Sequence, residues 1–161
     1  MCIRDSDKAI ELNPTYATAY YNRGNVLNKL NRKEEALGNY DKAIELNPTY
    51  TTAYNNRGWL NLILEQYVEA QSTFQKLWEL LNGKTTFHAP MNLGHALLLQ
   101  QKEKEAINWY QKAISLCKDK EELATFFQGM QEDYQELKMK AQGISINTYD
   151  DILQQLKNNK N

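Results

Sequence analysis

The 161-residue sequence has few of the features that mark disulfide scaffolds, metal sites or membrane spans. Its two cysteines, Cys2 and Cys117, lie far apart and form no CxxC pair, which excludes a disulfide framework and a zinc-finger signature. Apolar runs such as Leu97–Leu99 are far shorter than the roughly 20 residues that a membrane span needs. Residues 1–6 contain no apolar stretch typical of a signal peptide, so we expect a cytoplasmic location and no membrane contact.

The sequence also has no large excess of positive or negative charge. The chain carries 19 basic and 20 acidic side chains, for a formal net charge of −1. This balance excludes a strongly basic nucleic-acid-binding protein and a polybasic membrane-docking protein. The length is sufficient for one compact domain or a short repeat array without metal or disulfide support.

An internal repeat is the main feature that is present. The ten residues from Asp7 to Tyr16, DKAIELNPTY, recur without change from Asp41 to Tyr50. Over 18 positions, the two copies share 16 identities at a spacing of 34 residues. A diverged third copy follows, in which the glycine spacing lengthens to 36 residues, so we infer a short insertion near residues 82–86.

Small and large residues recur in register through the three copies. A glycine recurs at positions 24, 58 and 94, and an alanine followed four residues later by an aromatic recurs at Ala36–Tyr40, Ala70–Phe74 and Ala106–Tyr110. This pattern resembles the tetratricopeptide repeat (TPR) family, whose 34-residue signature is W-x2-L-G-x2-Y, then A-x3-F, then P. Arg23 and Arg57 depart from the leucine of that signature. The resemblance covers residues 7 to about 118.

The resemblance implies an all-α fold, a right-handed α-solenoid of helix-turn-helix repeats with a C-terminal capping helix. Local signals agree, because Asn13-Pro14 and Asn47-Pro48 are typical of a helix end followed by a helix start. We expect each repeat glycine to mark a close contact between helices A and B, with the repeat alanines opposite and the aromatics filling the next layer.

The organisation along the chain follows from the repeat register. Residues 1–6 are interpreted either as a non-native tract or as a frayed natural terminus. The predicted units are 7–16, the remnant of a first repeat with only its second helix; 17–50, a repeat; 51–86, a repeat with a short insertion; 87–118, a repeat; and 119–161, a helical cap.

The cap is predicted from one amphipathic stripe. Apolar residues follow helical steps of three and four at Leu123, Phe126, Phe127, Met130, Tyr134, Leu137 and Ala141. The opposite face, which includes Gln128, Glu132 and Asp133, is expected to be solvated. An alternative is that this stripe forms a dimerisation helix.

Catalytic and metal-binding constellations are not expected. His88 and His95 are seven residues apart on one helix, about 10.5 Å along its axis, so one metal cannot readily bridge them. Surface or groove histidines are the better interpretation. Cys117 has no evident histidine base, and no phosphate loop, HExxH or GxSxG motif occurs. We therefore predict no enzyme activity, no catalytic residues, no metal and no cofactor.

The concave face implied by the resemblance is the predicted partner-binding site. Asn22, Asn56 and Asn92 each lie two positions before a repeat glycine, and they resemble the asparagine ladder of O-linked GlcNAc transferases. An asparagine amide can both donate to and accept from a peptide backbone. Alternatively, these asparagines are family consensus without a binding role. The predicted groove residues are Tyr21, Asn22, Asn25, Asn55, Asn56, Trp59, His88, Met91, Asn92 and His95.

A second TPR subclass, the carboxylate clamp that holds chaperone tails, needs lysine and arginine in the groove. The equivalent positions here are Tyr21, Asn25, Asn56, His88 and Asn92. The two asparagines that the clamp requires are retained, but none of its lysine or arginine residues is present. We therefore expect a protein or peptide partner other than a chaperone tail, and no nucleic acid, with weak self-association left open. The favoured function is an adaptor or scaffold that binds an extended peptide or a partner helix. The alternatives are the repeat portion of a larger enzyme, such as a glycosyltransferase, and a self-associating structural protein.

Overall fold

The computed structural model of the protein describes residues 3–82, 86–138 and 146–158, and within these ranges it contains nine α-helices and no β-strand. The predicted all-α class is confirmed. The helices are α1 (Ile3–Leu12), α2 (Ala17–Lys29), α3 (Lys33–Leu46), α4 (Thr51–Ile63), α5 (Tyr67–Leu81), α6 (His88–Leu99), α7 (Glu103–Leu116), α8 (Lys120–Lys138) and α9 (Ile146–Asn158).

Helices α2 to α7 form three hairpins that stack in sequence. The pairs α2–α3, α4–α5 and α6–α7 each pack together, and α3 packs on α4 as α5 packs on α6. A single helix pair cannot bury its apolar face alone, so stacking gives a continuous core, as predicted for a solenoid. Helix α1 packs against α2. Helix α1 begins at Ile3, within the tract 1–6. The first two residues of that tract, Met1 and Cys2, lie outside the described residues.

The links between repeats differ in detail from the sequence prediction. Helices α2 and α4 begin at Ala17 and Thr51, three residues after the prolines that were expected in their first turn. The asparagine before each proline instead closes a local turn: Asn13 Oδ1 accepts hydrogen bonds from the backbone and side chain of Thr15, at 3.1 and 2.8 Å. Asn47 and Thr49 repeat this turn. Each asparagine side chain therefore hydrogen-bonds to the residue two positions ahead of it, and this turn takes the place of the helix cap that the sequence predicted.

The repeat glycines contact aromatic rings. A Cβ atom placed on Gly24 would lie 2.7 Å from a Tyr40 ring carbon, and one on Gly58 would lie 2.6 Å from Phe74. Gly94 faces the Tyr110 ring in the same way. The close contact is therefore confirmed, but the alanines are not its main partners, which corrects our expectation. The aromatic lies one helical turn further along and reaches back over the alanine toward the glycine.

The two arginines that depart from the family signature join three helices each. Arg23 donates to Asn39 Oδ1 (2.7 Å) and to Asp7 Oδ1 (3.0 Å), which connects α2 with α3 and α1. Arg57 repeats the arrangement with Thr73 and with Asp41, whose carboxylate lies 2.5 Å away. In the third repeat, Leu93 takes this position and is buried. These ion pairs are partly exposed, so each is worth about 0–1 kcal/mol.

The C-terminal helices complete the core. Phe126, Met130, Tyr134 and Leu137 on α8 are buried together with apolar residues of α9 and the third repeat. Four members of the predicted stripe are thus core residues, while Ala141 lies outside the described residues. Leu123 and Phe127 pack partly exposed at its edge. Among the helices described, none is long and apolar enough to cross a bilayer.

Candidate functional site

The first helices of the repeats and α8 lie side by side and enclose one groove. Polar contacts join α2 to α4, α4 to α6 and α6 to α8. The cavity between them has a volume of about 750 Å³. Its lining residues are Asn25, Asn28 and Lys29 of α2, Tyr40 of α3, Asn55, Asn56 and Trp59 of α4, Phe87 beside α6, His88, Met91 and Asn92 of α6, and Thr125, Gln128, Gly129, Glu132 and Asp133 of α8.

Seven of the ten predicted groove residues line this cavity: Asn25, Asn55, Asn56, Trp59, His88, Met91 and Asn92. The other three are placed elsewhere. Asn22 and Tyr21 are half-buried on α2 outside the cavity lining. His95 is buried beneath α8. The structure therefore brings residues of all three repeats together at the groove and leaves the Asn22 end of the ladder out of it.

The ladder asparagines hydrogen-bond to neighbouring repeats. Asn56 Nδ2 donates to Asn25 Oδ1 at 3.0 Å, and that oxygen also accepts from the Tyr40 hydroxyl at 2.8 Å. Asn92 Nδ2 donates to Asn55 Oδ1 at 3.3 Å. Each amide has further donor or acceptor capacity beyond these bonds. The amides therefore have two roles, since they link adjacent repeats and present polar atoms to the groove.

Aromatic side chains support this amide network. The Tyr21 ring lies 6.0 Å from Tyr40 and 5.1 Å from Tyr50, centroid to centroid, and the Tyr21 hydroxyl accepts a bond from Asn56 at 3.3 Å. Tyr40 is almost fully buried, and this burial raises the pKa of its phenol to about 12. A tyrosine hydroxyl is protonated at neutral pH in any case, and the raised pKa keeps it a donor to Asn25 in alkaline solution as well.

His95 was predicted as a surface or groove histidine, and the structure corrects this. Only 2% of its surface is exposed. Its Nδ1 atom lies 2.9 Å from the Tyr110 hydroxyl and its Nε2 atom lies 3.2 Å from the Asp133 carboxylate of α8. Met91 and Asn92 are also largely buried, at 4% and 7% exposure. The cause is α8, which covers the face of α6 that the repeat register leaves open.

His88 lies at the start of α6 and stays exposed, with Nδ1 2.7 Å from the Thr86 hydroxyl. The two histidines thus occupy different environments, one at the rim and one in the core. Over residues 3–82, 86–138 and 146–158, no group of three or more His, Cys, Asp or Glu side chains could hold a metal ion.

Sequence reasoning missed the second wall of the groove. Helix α8 supplies five lining residues, Thr125, Gln128, Gly129, Glu132 and Asp133, and three of these had been assigned to a solvated face. The sequence does show the polar stripe of α8, which has the same helical period as the apolar stripe. Periodicity alone does not show whether that polar stripe faces a groove or bulk water.

Family models confirm the tetratricopeptide repeat family. Three models, each described as a tetratricopeptide repeat, match residues 17–50, 39–72 and 89–120. Together they cover more than half of the chain. No functionally curated protein matches the chain significantly.

Solved structures with the same architecture include several repeat proteins. YrrB, described as a TPR protein with an unusual peptide-binding site, is 31% identical over 81% of this chain and 70% of its own, with a TM-score of 0.62. A MamA structure is 26% identical with a TM-score of 0.66, over 70% of this chain, and the match spans only 61% of MamA. The N-terminal domain of stress-induced protein-1 (STI-1) from C. elegans is 26% identical over 70% of this chain and 92% of that domain, with a TM-score of 0.60.

Proposed function

Because the chain belongs to the tetratricopeptide repeat family, we propose that it is a protein-interaction module that binds an extended peptide segment of a partner in its groove. One observation carries the proposal: a cavity of about 750 Å³ combines amide side chains from three repeat helices with an aromatic surface at Trp59. The chain acts as an adaptor or scaffold and has no catalytic role of its own.

The lining chemistry suits a polypeptide backbone. Peptide groups alternate donors and acceptors, and the asparagines of α2, α4 and α6 offer both. A single hydrogen bond contributes only about 0.5–1.5 kcal/mol net, so three or four such bonds give weak binding. Trp59 supplies the apolar area that raises affinity, as aromatic anchors do in other interfaces. YrrB, which shares this fold, is described as having an unusual peptide-binding site, and this supports a peptide as the partner of the chain.

Gly129 allows a test that fills part of the groove from a position where an added Cβ atom makes no clash. It lines the cavity, and a Cβ atom there would meet only Met91 Cε, at an ordinary contact distance of 3.8 Å. Gly129→Leu therefore projects a side chain into the groove while favouring the helix. The control is Gly38→Leu, the same change on an exposed face of α3 where nothing lies within 4 Å.

The experiment uses the full chain as bait in a pull-down, followed by mapping of the bound segment and isothermal titration with that segment. We expect Gly129→Leu to weaken binding at least tenfold and Gly38→Leu to leave it unchanged. Equal affinity for both variants and the unmodified chain would place the binding surface outside the groove and refute the proposal.

A second candidate, weak self-association, has one supporting observation. Leu12 at the end of α1 is 80% exposed, and Tyr16 after it is also exposed. The other route considered from sequence, the α8 stripe, is taken up by the core of the chain itself. Light scattering over a concentration series tests this candidate, and a strict monomer would exclude it.

A further inference from the structure

The charges along the groove are unequally placed. Three lining residues carry a formal charge at neutral pH: Lys29 on α2, and Glu132 and Asp133 on α8. Between them, α4 and α6 contribute amides, Trp59, Met91 and His88. One end of the groove is therefore acidic and the other carries a single lysine.

The acidic end belongs to the wall that closes the groove. Asp133 is about one-fifth exposed and is held in place by His95, whose Nε2 atom lies 3.2 Å away. Glu132 is exposed, and its Oε1 accepts a hydrogen bond from Gln128 Nε2 at 2.8 Å. The partners in these two contacts are His95 and Gln128, so neither contact places a lysine or arginine beside Glu132 or Asp133. A carboxylate accepts up to four hydrogen bonds, so both groups retain acceptor capacity toward the groove.

We propose that the groove selects peptides with a lysine or arginine side chain at the α8 end, where Glu132 and Asp133 receive it. This inference rests on the proposed peptide-binding function and adds the chemistry of the partner. An acidic side chain at this end would meet two carboxylates and be rejected.

The length of the peptide follows from the helix arrangement. Three steps between successive helices, at the spacing of about 8–10 Å that is typical of packed helices, correspond to a path of about 24–30 Å from α2 to α8. An extended chain rises about 3.3 Å per residue, so the path takes about eight residues. Lys29 at the far end favours an acidic residue there, so the basic and acidic residues of the peptide lie at opposite ends of the groove.

The test uses a positional-scanning library of ten-residue peptides, probed with the full chain. We expect enrichment of lysine and arginine at one position. In anisotropy titrations with the best peptide, Glu132→Gln should weaken binding about three- to fivefold, as expected for an exposed charge pair. The loss should vanish when the peptide lysine is replaced by alanine. The matched control is Glu121→Gln, the same charge change on an exposed part of α8 outside the cavity lining.

The outcomes separate this inference from the function on which it rests. Binding that Gly129→Leu blocks, but that shows no preference for a cation or prefers acidic peptides, overturns the charge selectivity and leaves groove binding intact. A library without binders, or binding that Gly129→Leu does not affect, overturns both. A charge-swapped pair, Glu132→Lys with a glutamate peptide, should restore affinity if the two side chains meet.

Discussion

At the residue scale, the four described glycines of the three repeats occupy two different environments. The repeat glycines face aromatic rings so closely that no side chain fits between the helices without displacement. Gly38, by contrast, lies on an exposed face of α3 with nothing within 4 Å of an added Cβ. Glycine inside a helix costs about 1 kcal/mol relative to alanine. The close packing of the repeat glycines offsets this cost, whereas Gly38 makes no contact that could offset it.

Alanine substitution should therefore have opposite effects at Gly58 and Gly38. Gly58→Ala should lower the free energy of unfolding by about 1–3 kcal/mol, because the buried Phe74 ring must move. Gly38→Ala should raise it by about 1 kcal/mol through helix propensity alone. Urea denaturation followed by circular dichroism measures both. A stabilised Gly58→Ala variant would show that the ring has room to move and that the close contact is not required.

At the element scale, the turns inside the three hairpins share an unusual backbone. Asn31, Glu65 and Gln101 have φ angles of 60–62°, the left-handed region that disfavours side chains. Each turn is then closed by a backbone hydrogen bond that reaches back into the first helix, as from Gln66 N to Asn61 O at 2.8 Å. This geometry ends the helix and turns the chain into the second one. Only Asn31 has a residue type that tolerates the conformation well.

Glu65→Gly should stabilise the second hairpin. Glycine adopts a positive φ freely, and we expect a gain of about 0.5–1 kcal/mol after its larger unfolded-state entropy is counted. Glu65→Ala is the matched control, because it removes the same exposed side chain without relieving the backbone. Thermal unfolding of the two variants measures the difference. A melting temperature that rises equally in both would assign the effect to the side chain instead.

At the scale of the whole molecule, α8 closes both the core and the groove. Phe126 is fully buried, and its ring meets Phe87 edge-on at 5.7 Å between centroids. Asp133 reaches the buried His95, and Gly129 lies over Met91. Helix α8 is therefore part of the folded unit and not a separate tail.

Truncation of adjacent aromatics on α8 should show this integration. Phe126→Ala should lower the free energy of unfolding by about 3–5 kcal/mol through the cavity it leaves. Phe127→Ala should cost much less, because Phe127 is partly exposed with Lys157 Nζ 5.3 Å from its ring. Chemical denaturation with a single cooperative transition is the measurement. Equal and small effects would mean that α8 is loosely attached.

The sequence alone determined the repeat, its register and the all-helical class, because the spacing of Gly24, Gly58 and Gly94 and of the aromatic partners is written directly in the chain. Local chemistry fixes these features, since a helix needs its small and large residues at set intervals. The same register also places seven of the ten predicted groove residues on the cavity wall, because it assigns each of them to the inner face of a repeat helix.

The tertiary structure alone decided which of those residues reach the groove. Whether His95 faces solvent or the core depends on where α8 packs, and Asp133 of α8 is 38 residues further along the chain. Helical periodicity assigns Glu132 and Asp133 to a polar face, but it cannot say what lies opposite that face. Burial is a property of contacts distant in sequence, and for that reason the wall of the groove, its acidic end and the pairing of His95 emerged only from the folded chain.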